Sequence, residues 1–184
     1  QLLSMEAGEL LPEELTSILS RLRSQAEPMP FSQLTQVLES AWGPQWPESF
    51  RQFTFKPFAA ASIGQVHRAT NTSGQALAIK IQYPGITDSI DSDVDNVAAL
   101  LKLSGLLPEG IEIDSLLIQA KNQLHAEADY LLEADWMQQY RQLVNADARH
   151  SESFVIASVD ASLTNRSILA MSEESGSPLE QVEH

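Results

Sequence analysis

The sequence predicts an α+β fold with a mostly antiparallel sheet, and three observations carry that expectation. Apolar residues recur at helical spacing on both sides of a central stretch, and period-two runs joined by a turn signal occupy its middle. The elements also come as helices, hairpin, helices, strands rather than as alternating units, which argues against a parallel sheet. Hydrophobic residues make up 43% of the 184 and charged residues 20%, so the chain can bury a core.

From the N-terminus, Leu11, Leu15, Ile18, Leu19 and Leu22 form the stripe of a first helix over residues 9–24. Pro12 sits early in it, where a missing N–H costs little. EPMP (Glu27–Pro30) breaks that helix. A second helix places Phe31, Leu34, Val37, Leu38, Ala41 and Trp42 on one face, with Ser32 or a neighbour as its cap. After the turn-rich WGPQWPESF, QFTFKPF and SIGQVHRA read as strands, and NTSG (Asn71–Gly74) as a tight turn into QALAIKIQ. YPGI ends that strand. Ile90, Val94, Val97 and Leu101 then mark a third helix closed by Gly105. Asp114 is expected to cap a long fourth helix reaching about Val144, burying Leu117, Ala120, Leu124, Leu131 and Ala134. FVIASVDASLTNRSILAMS reads as two more strands around a turn at Thr164–Arg166.

The totals exclude several kinds of function. A net charge of −14, from 25 acidic and 11 basic residues, repels nucleic-acid backbones and anionic lipid, so neither is expected to touch this segment directly. There are no cysteines, which rules out disulfides and thiolate metal sites. No apolar run approaches the roughly 20 residues that span a bilayer. The chain starts at Gln1 without a legible signal peptide and is expected to be a piece of a longer protein. DSIDSDVDN (Asp88–Asn96) opens like a calcium loop, but Asn96 stands at position six from Asp91 and Lys102 at position twelve. Acids in a helix's first turns, complementing its dipole, are the better account. His67, His125 and His150 have no metal-ligand spacing and are expected to be structural or exposed.

The candidate site lies in FAAASIGQVHRATNTSGQALAIK (Phe58–Lys80), which can be laid on a kinase-type phosphate loop, G-x-G-x-x-G-x-V, and its V-A-I-K strand. With Val66 as the valine, the third glycine falls on Gly64, the second on Ala61 and the first on Ala59. Alternation puts Ala78 and Lys80 on one strand face and Leu77, Ile79 and Ile81 on the other. A small side chain beside a flat base and an ammonium reaching phosphates suit an adenine nucleotide, with Val66 over the base's other side. Such a lysine needs a carboxylate to hold it. In EADYLLEAD, Asp129 and Glu133 are one turn apart and share a face, while Glu127 points about 120° away, and Glu133 is the candidate partner. Met171, in the ILAMS run near the expected exit, joins the cofactor-binding set.

Taken together, PFAAASIGQVHRA, AIKIQYPGI, SIDSDVDN, LPEG and EADYLLEA closely resemble the UbiB/ADCK family of atypical kinase-like proteins, especially its coenzyme Q biosynthesis branch. The resemblance runs in order over nearly the whole chain. It implies a protein-kinase-like N-lobe at residues 51–184, a five-stranded mostly antiparallel sheet with a long C-type helix, preceded by a two-helix extension at residues 1–50. It further implies an alanine-rich loop at Ala59, Ala60, Ala61 and Ser62, the strand lysine Lys80, the helix glutamate Glu133 and an E-x-D motif at Glu127 and Asp129. Gln1 would close the family's K-x-G-Q element. The implied cofactor is ATP or ADP with Mg, and the implied role is support of ubiquinone biosynthesis. Quinone precursors, a membrane surface or quinone-biosynthesis enzymes are the further implied partners, and an oligomer is open. The implied location is cytoplasmic and peripheral to the inner membrane in a bacterium, or the mitochondrial matrix in a eukaryote.

The departures shape the expectation as well. No D-F-G and no H-R-D-like segment is present, so the catalytic C-lobe and its metal-binding acids are expected outside this chain, beyond the connector EESGSPLE. A non-catalytic pseudokinase scaffold and a helical-sheet interaction module without nucleotide are the alternatives. Methyl groups at Ala59 and Ala61 remove glycine's access to positive φ, at about 1 kcal/mol for an αL alanine, and fill space near the phosphates. The loop is therefore expected to wrap a γ-phosphate poorly; the resemblance further implies an extension over the cleft that keeps peptide substrates out. Gly64 also reads as a hairpin bulge. Trp42 and Trp46 are expected to anchor the extension to the lobe.

Overall fold

An antiparallel sheet with a helix on each face organises the chain. The computed structural model describes residues 28–61, 63–104, 113–147 and 153–176, so the expected first helix, Gly105, His150 and the connector beyond residue 176 lie outside the described residues. Helix α1 (Phe31–Trp42) is followed by a 3-10 turn (Trp46–Ser49) and strands β1 (Phe50–Phe53), β2 (Ala59–Ala60), β3 (Gly64–Asn71) and β4 (Ala76–Gln82). Helices α2 (Ile86–Ser104), α3 (Ile113–Glu127) and α4 (Tyr130–Ala146) precede strand β5 (Ile168–Ser172). The sheet order is β1-β3-β4-β5, with β2 also pairing β3, and every pair is antiparallel.

Strand β4 shows why the sheet needs both helices. Leu77, Ile79 and Ile81 are fully buried on one face, in a core with Leu34 and Leu38 of α1 and with Trp46, Phe50, Ile168 and Ala170. Each such side chain contributes about 1.5–3 kcal/mol when taken from water. On the other face Tyr130 and Ala134 of α4 pack against Leu169. Trp42 and Trp46 join α1 to the sheet as expected: the Trp42 indole N–H donates to the Leu163 carbonyl at 2.8 Å, and Trp46 packs edge-on against Phe50 and Phe53.

Four expectations give way. Ser32 does not cap α1; Pro30 stands at the N-cap without a side-chain bond, and Phe31 is exposed. The long helix after Asp114 is two helices, because the chain breaks at Ala128–Asp129 and Asp129 caps the second by accepting from the Leu131 N–H. With the axis broken, Ala120 and Leu131 face solvent, while Leu117 and Leu124 are half-buried and Ala134 is buried. Instead of two final strands there is one, β5, and Val159 contributes only an isolated bridge to Met171. The Asp160 side chain turns the preceding segment by accepting from the N–H and hydroxyl of Ser162.

A buried polar relay ties the segment ahead of α1 to the sheet. The Met29 N–H donates to Gln65 Oε1 at 2.8 Å, the Gln65 amide donates to His67 Nε2 at 2.8 Å, and His67 Nδ1–H donates to the Thr54 carbonyl at 2.9 Å. Both side chains are almost wholly buried. Burial holds the His67 pKa below its usual 6.5, outweighing the Thr54 hydrogen bond, which acts the other way. An imidazole kept neutral by the fold stabilises it above the unfolded-state value, and that contribution is lost as pH falls below 6.5. Thermal melts should therefore show stability dropping between pH 7 and pH 5. The H67Q variant, less stable at pH 7.5, should have a flatter profile over that interval; equal slopes would remove His67 as the cause.

Candidate functional site

The strand register decides which residues share the open face. Val66 stands opposite Lys80, Ala59 opposite Val66, Ala78 opposite Met171 and Lys80 opposite Leu169. Directly opposed residues project to the same side of a sheet, so Ala59, Val66, Ala78, Lys80 and Met171 line one face, turned away from α1. Ala60, opposite Gln65, belongs to the other side.

Lys80 meets α4 on that face. Its Nζ donates to Glu133 Oε2 at 2.7 Å and to Oε1 at 2.9 Å. Glu133 lies in the first turn of α4, where the helix dipole favours a carboxylate. The lysine side chain is 18% exposed and the glutamate 33%, so the pair sits between a surface bridge worth under about 1 kcal/mol and a buried one. Beneath it, the Tyr130 ring lies 4.6 Å from Nζ. Tyr130 is fully buried, and among the described residues its hydroxyl has no hydrogen-bond partner. Burial, then the Glu133 charge, then Tyr83 push the phenol pKa far above its usual 10, so it stays neutral. Sequence reasoning passed over Tyr130, although an aromatic three residues before Glu133 falls on the same helical face.

Ala59–Ala60 of the alanine-rich segment form a short strand paired with β3. The Phe58 N–H donates to the Val66 carbonyl and the Ala61 N–H to the Gly64 carbonyl, both at 2.9 Å. Among the described residues only glycines have positive φ, so the alanines carry none of the expected αL strain. Ser62 lies outside the described residues. Gly64 has a plain reason: a Cβ there would sit 2.2 Å from the Ile81 carbonyl oxygen, where β3 and β4 approach closely. Ile63 anchors the segment by packing on the Tyr130 cluster, and its carbonyl accepts from the Tyr83 N–H at 2.9 Å.

The E-x-D residues do not join the Lys80 pair. Glu127 is the exposed last residue of α3, and Asp129 is the cap of α4, with the Arg166 guanidinium 3.9 Å from its carboxylate. Asp129 and Glu133 therefore do not share a face of one continuous helix. Gln1 and the LPEG run lie outside the described residues. A cavity of about 400 Å³ opens elsewhere, between α1 and the turn after β4, lined in part by Gln36, Ser40, Gln82, Tyr83 and Ser167. It shares no expected site residue. Among the described residues no acidic or histidine cluster could hold a metal, and no helix is long and apolar enough to cross a membrane. The G64A substitution should cost about 1–3 kcal/mol or more in denaturant unfolding, because backbone rather than a pliable side chain blocks the methyl; a loss under about 1 kcal/mol would show that the strands can part freely.

Comparison with known proteins places this geometry. The model of the ABC1 atypical kinase-like domain matches residues 21–184. The chain is 40% identical over 179 residues to the atypical kinase COQ8, mitochondrial, of Saccharomyces cerevisiae, covering 97% of this chain and 35% of that protein. It is 38% identical over 181 residues to the atypical kinase COQ8B, mitochondrial, of Danio rerio, covering 98% of this chain and 28% of that one. Among solved structures, the complex of Rv3197 with erythromycin from Mycobacterium tuberculosis superposes with a TM-score of 0.68 at 28% identity, over 98% of this chain and 44% of that one. This chain thus spans about a third of the length of these curated relatives, and its α+β sheet with α4 is a kinase-like N-lobe. By the domain match and by these relatives, the chain belongs to the ABC1 atypical kinase-like family, in its UbiB/COQ8/ADCK group.

Proposed function

We propose that this chain supplies the smaller half of an adenine-nucleotide site in an atypical kinase or ATPase that supports ubiquinone biosynthesis. One observation carries the reading: an ammonium held at 2.7 Å by a helix carboxylate on the sheet face that also presents Ala78, Val66 and Met171. Lys80 would bind phosphate oxygens with Glu133 orienting it, while Ala78, Val66 and Met171 offer the flat apolar surface a purine needs. Ala59, Ala60, Ala61, Ser62 and Gly64 would form the phosphate-side lid. The nucleotide, when bound, supplies the transferable phosphoryl group. Mg ligands from the protein are expected outside this chain.

The lid reading has a physical basis beyond methyl bulk. A glycine-rich loop grips phosphate with free backbone N–H groups. Here the Ala61 N–H is engaged by Gly64, so one such donor is withdrawn. That supports weak hold on a γ-phosphate and use of small molecules rather than protein hydroxyls. The same withdrawn donor favours a second reading, a nucleotide-binding scaffold without catalysis. Residues 1–50 as an extension and 51–184 as the lobe belong to this proposal, with α1 already sharing the sheet's core. The mitochondrial location named for the relatives, on the matrix side, is the compartment we propose, with quinone precursors or quinone-biosynthesis enzymes as partners.

Differential scanning fluorimetry of the full chain with Mg-ADP and Mg-ATP tests the reading. At a hundredfold excess over Kd, binding should raise Tm by roughly 5–10 °C, and K80A should abolish the rise. No shift with either nucleotide overturns the site. The A61G variant should change the ratio of ADP to ATP affinity by about threefold or more; an unchanged ratio would sink the lid account while leaving the site intact.

A further inference from the structure

We infer that Tyr130 is a positioning residue for Lys80, its buried ring fixing the ammonium where the phosphates of the proposed nucleotide would meet it; this rests on the nucleotide reading above. Glu133 by itself is an incomplete support, since its side chain is one-third exposed and long enough to sample several rotamers. The ring is different. It is fully buried against Ala134 and Leu169, with Ile63, Met137, Val159 and Met171 around it. Its backbone is held as well, because the Tyr130 N–H donates to the Arg166 carbonyl at 3.1 Å and Asp129 engages the next N–H. An ammonium 4.6 Å from the centroid of such a ring gains a cation–π contact, and with the lysine side chain 18% exposed it falls between the surface and the desolvated ends of the range for that interaction.

The chemistry also explains why a ring, rather than a second carboxylate, suits this place. Glu133 takes up to two of the three lysine N–H donors, and the ring face attracts the charge while leaving the third free. A second carboxylate would hold Lys80 equally well and repel an incoming anion. The hydroxyl contributes nothing to this role: it has no partner among the described residues, and burial beside Glu133 keeps it from ionising. Phenylalanine should therefore do the same job.

The experiment compares Y130F and Y130L in the full chain, with K80A alongside. Mg-ADP affinity by calorimetry should stay within about twofold for Y130F and weaken about five- to thirtyfold for Y130L. In NMR spectra the Lys80 ε-methylene protons should be shifted upfield by the ring in the unmodified protein and in Y130F, and should return to ordinary values in Y130L. Y130F should melt at or above the unmodified protein, since an unpartnered buried hydroxyl is removed. Should Y130L fail to fold, Y130M, closer in volume, takes its place with the same expectation. If Y130L binds as well as Y130F while K80A loses binding, the positioning role is overturned and the nucleotide site stands. If the unmodified protein itself shows no binding, both fall together.

Discussion

A single buried hydrogen bond, from the Gln82 side-chain amide to the Ala128 carbonyl at 2.9 Å, sets the relation between the sheet and the helices that follow it. Gln82 and Lys80 are two residues apart on β4 and so project to the same face. One reaches the break between α3 and α4, and the other reaches the first turn of α4. The strand thus takes hold of the helix start at two points. The Tyr130 N–H bond to Arg166, from the turn before β5, adds a third. A helix pinned this way keeps its Glu133 beside Lys80 without help from a ligand.

The break at Ala128–Asp129 has to be where it is for that geometry to exist. A continuous helix from Asp114 would have no free carbonyl at Ala128 to accept from Gln82 and no orphan N–H for Asp129 to cap. Asp129 therefore acts through the backbone, starting α4 in the position from which Glu133 and Tyr130 both face the strand. Glu127, on the other side of the break, remains at the surface.

The two faces of the sheet divide the labour between stability and chemistry. The α1 face is dry and apolar, apart from the Gln65–His67 relay whose donors and acceptors are matched from Met29 through to Thr54. The opposite face keeps a charged pair partly in contact with water, over an aromatic floor. Gly64 links the two, since only a residue without a side chain lets β3 come close enough to β4 for Val66 and Lys80 to stand opposite each other.

Much of this was legible in the sequence because its cause is local. Period-two alternation in QALAIKIQ separated Lys80 and Ala78 from Leu77, Ile79 and Ile81, and Asn71–Gly74 announced the hairpin. The helical stripe of α1 and the family resemblance were equally available from residue order. What the sequence left out depends on contacts between distant residues. The helix break follows from Gln82 reaching across 46 positions, a bond that periodicity cannot register, so EADYLLEAD read as one uninterrupted helix. The place of Tyr130 under Lys80, the strand pairing of Ala59–Ala60 and the need for glycine at position 64 likewise arise from neighbours brought in by the sheet. Residue order determined which side chains could do the chemistry; only the packed sheet decided which of them meet, because distance in space is fixed by pairing register and not by separation along the chain.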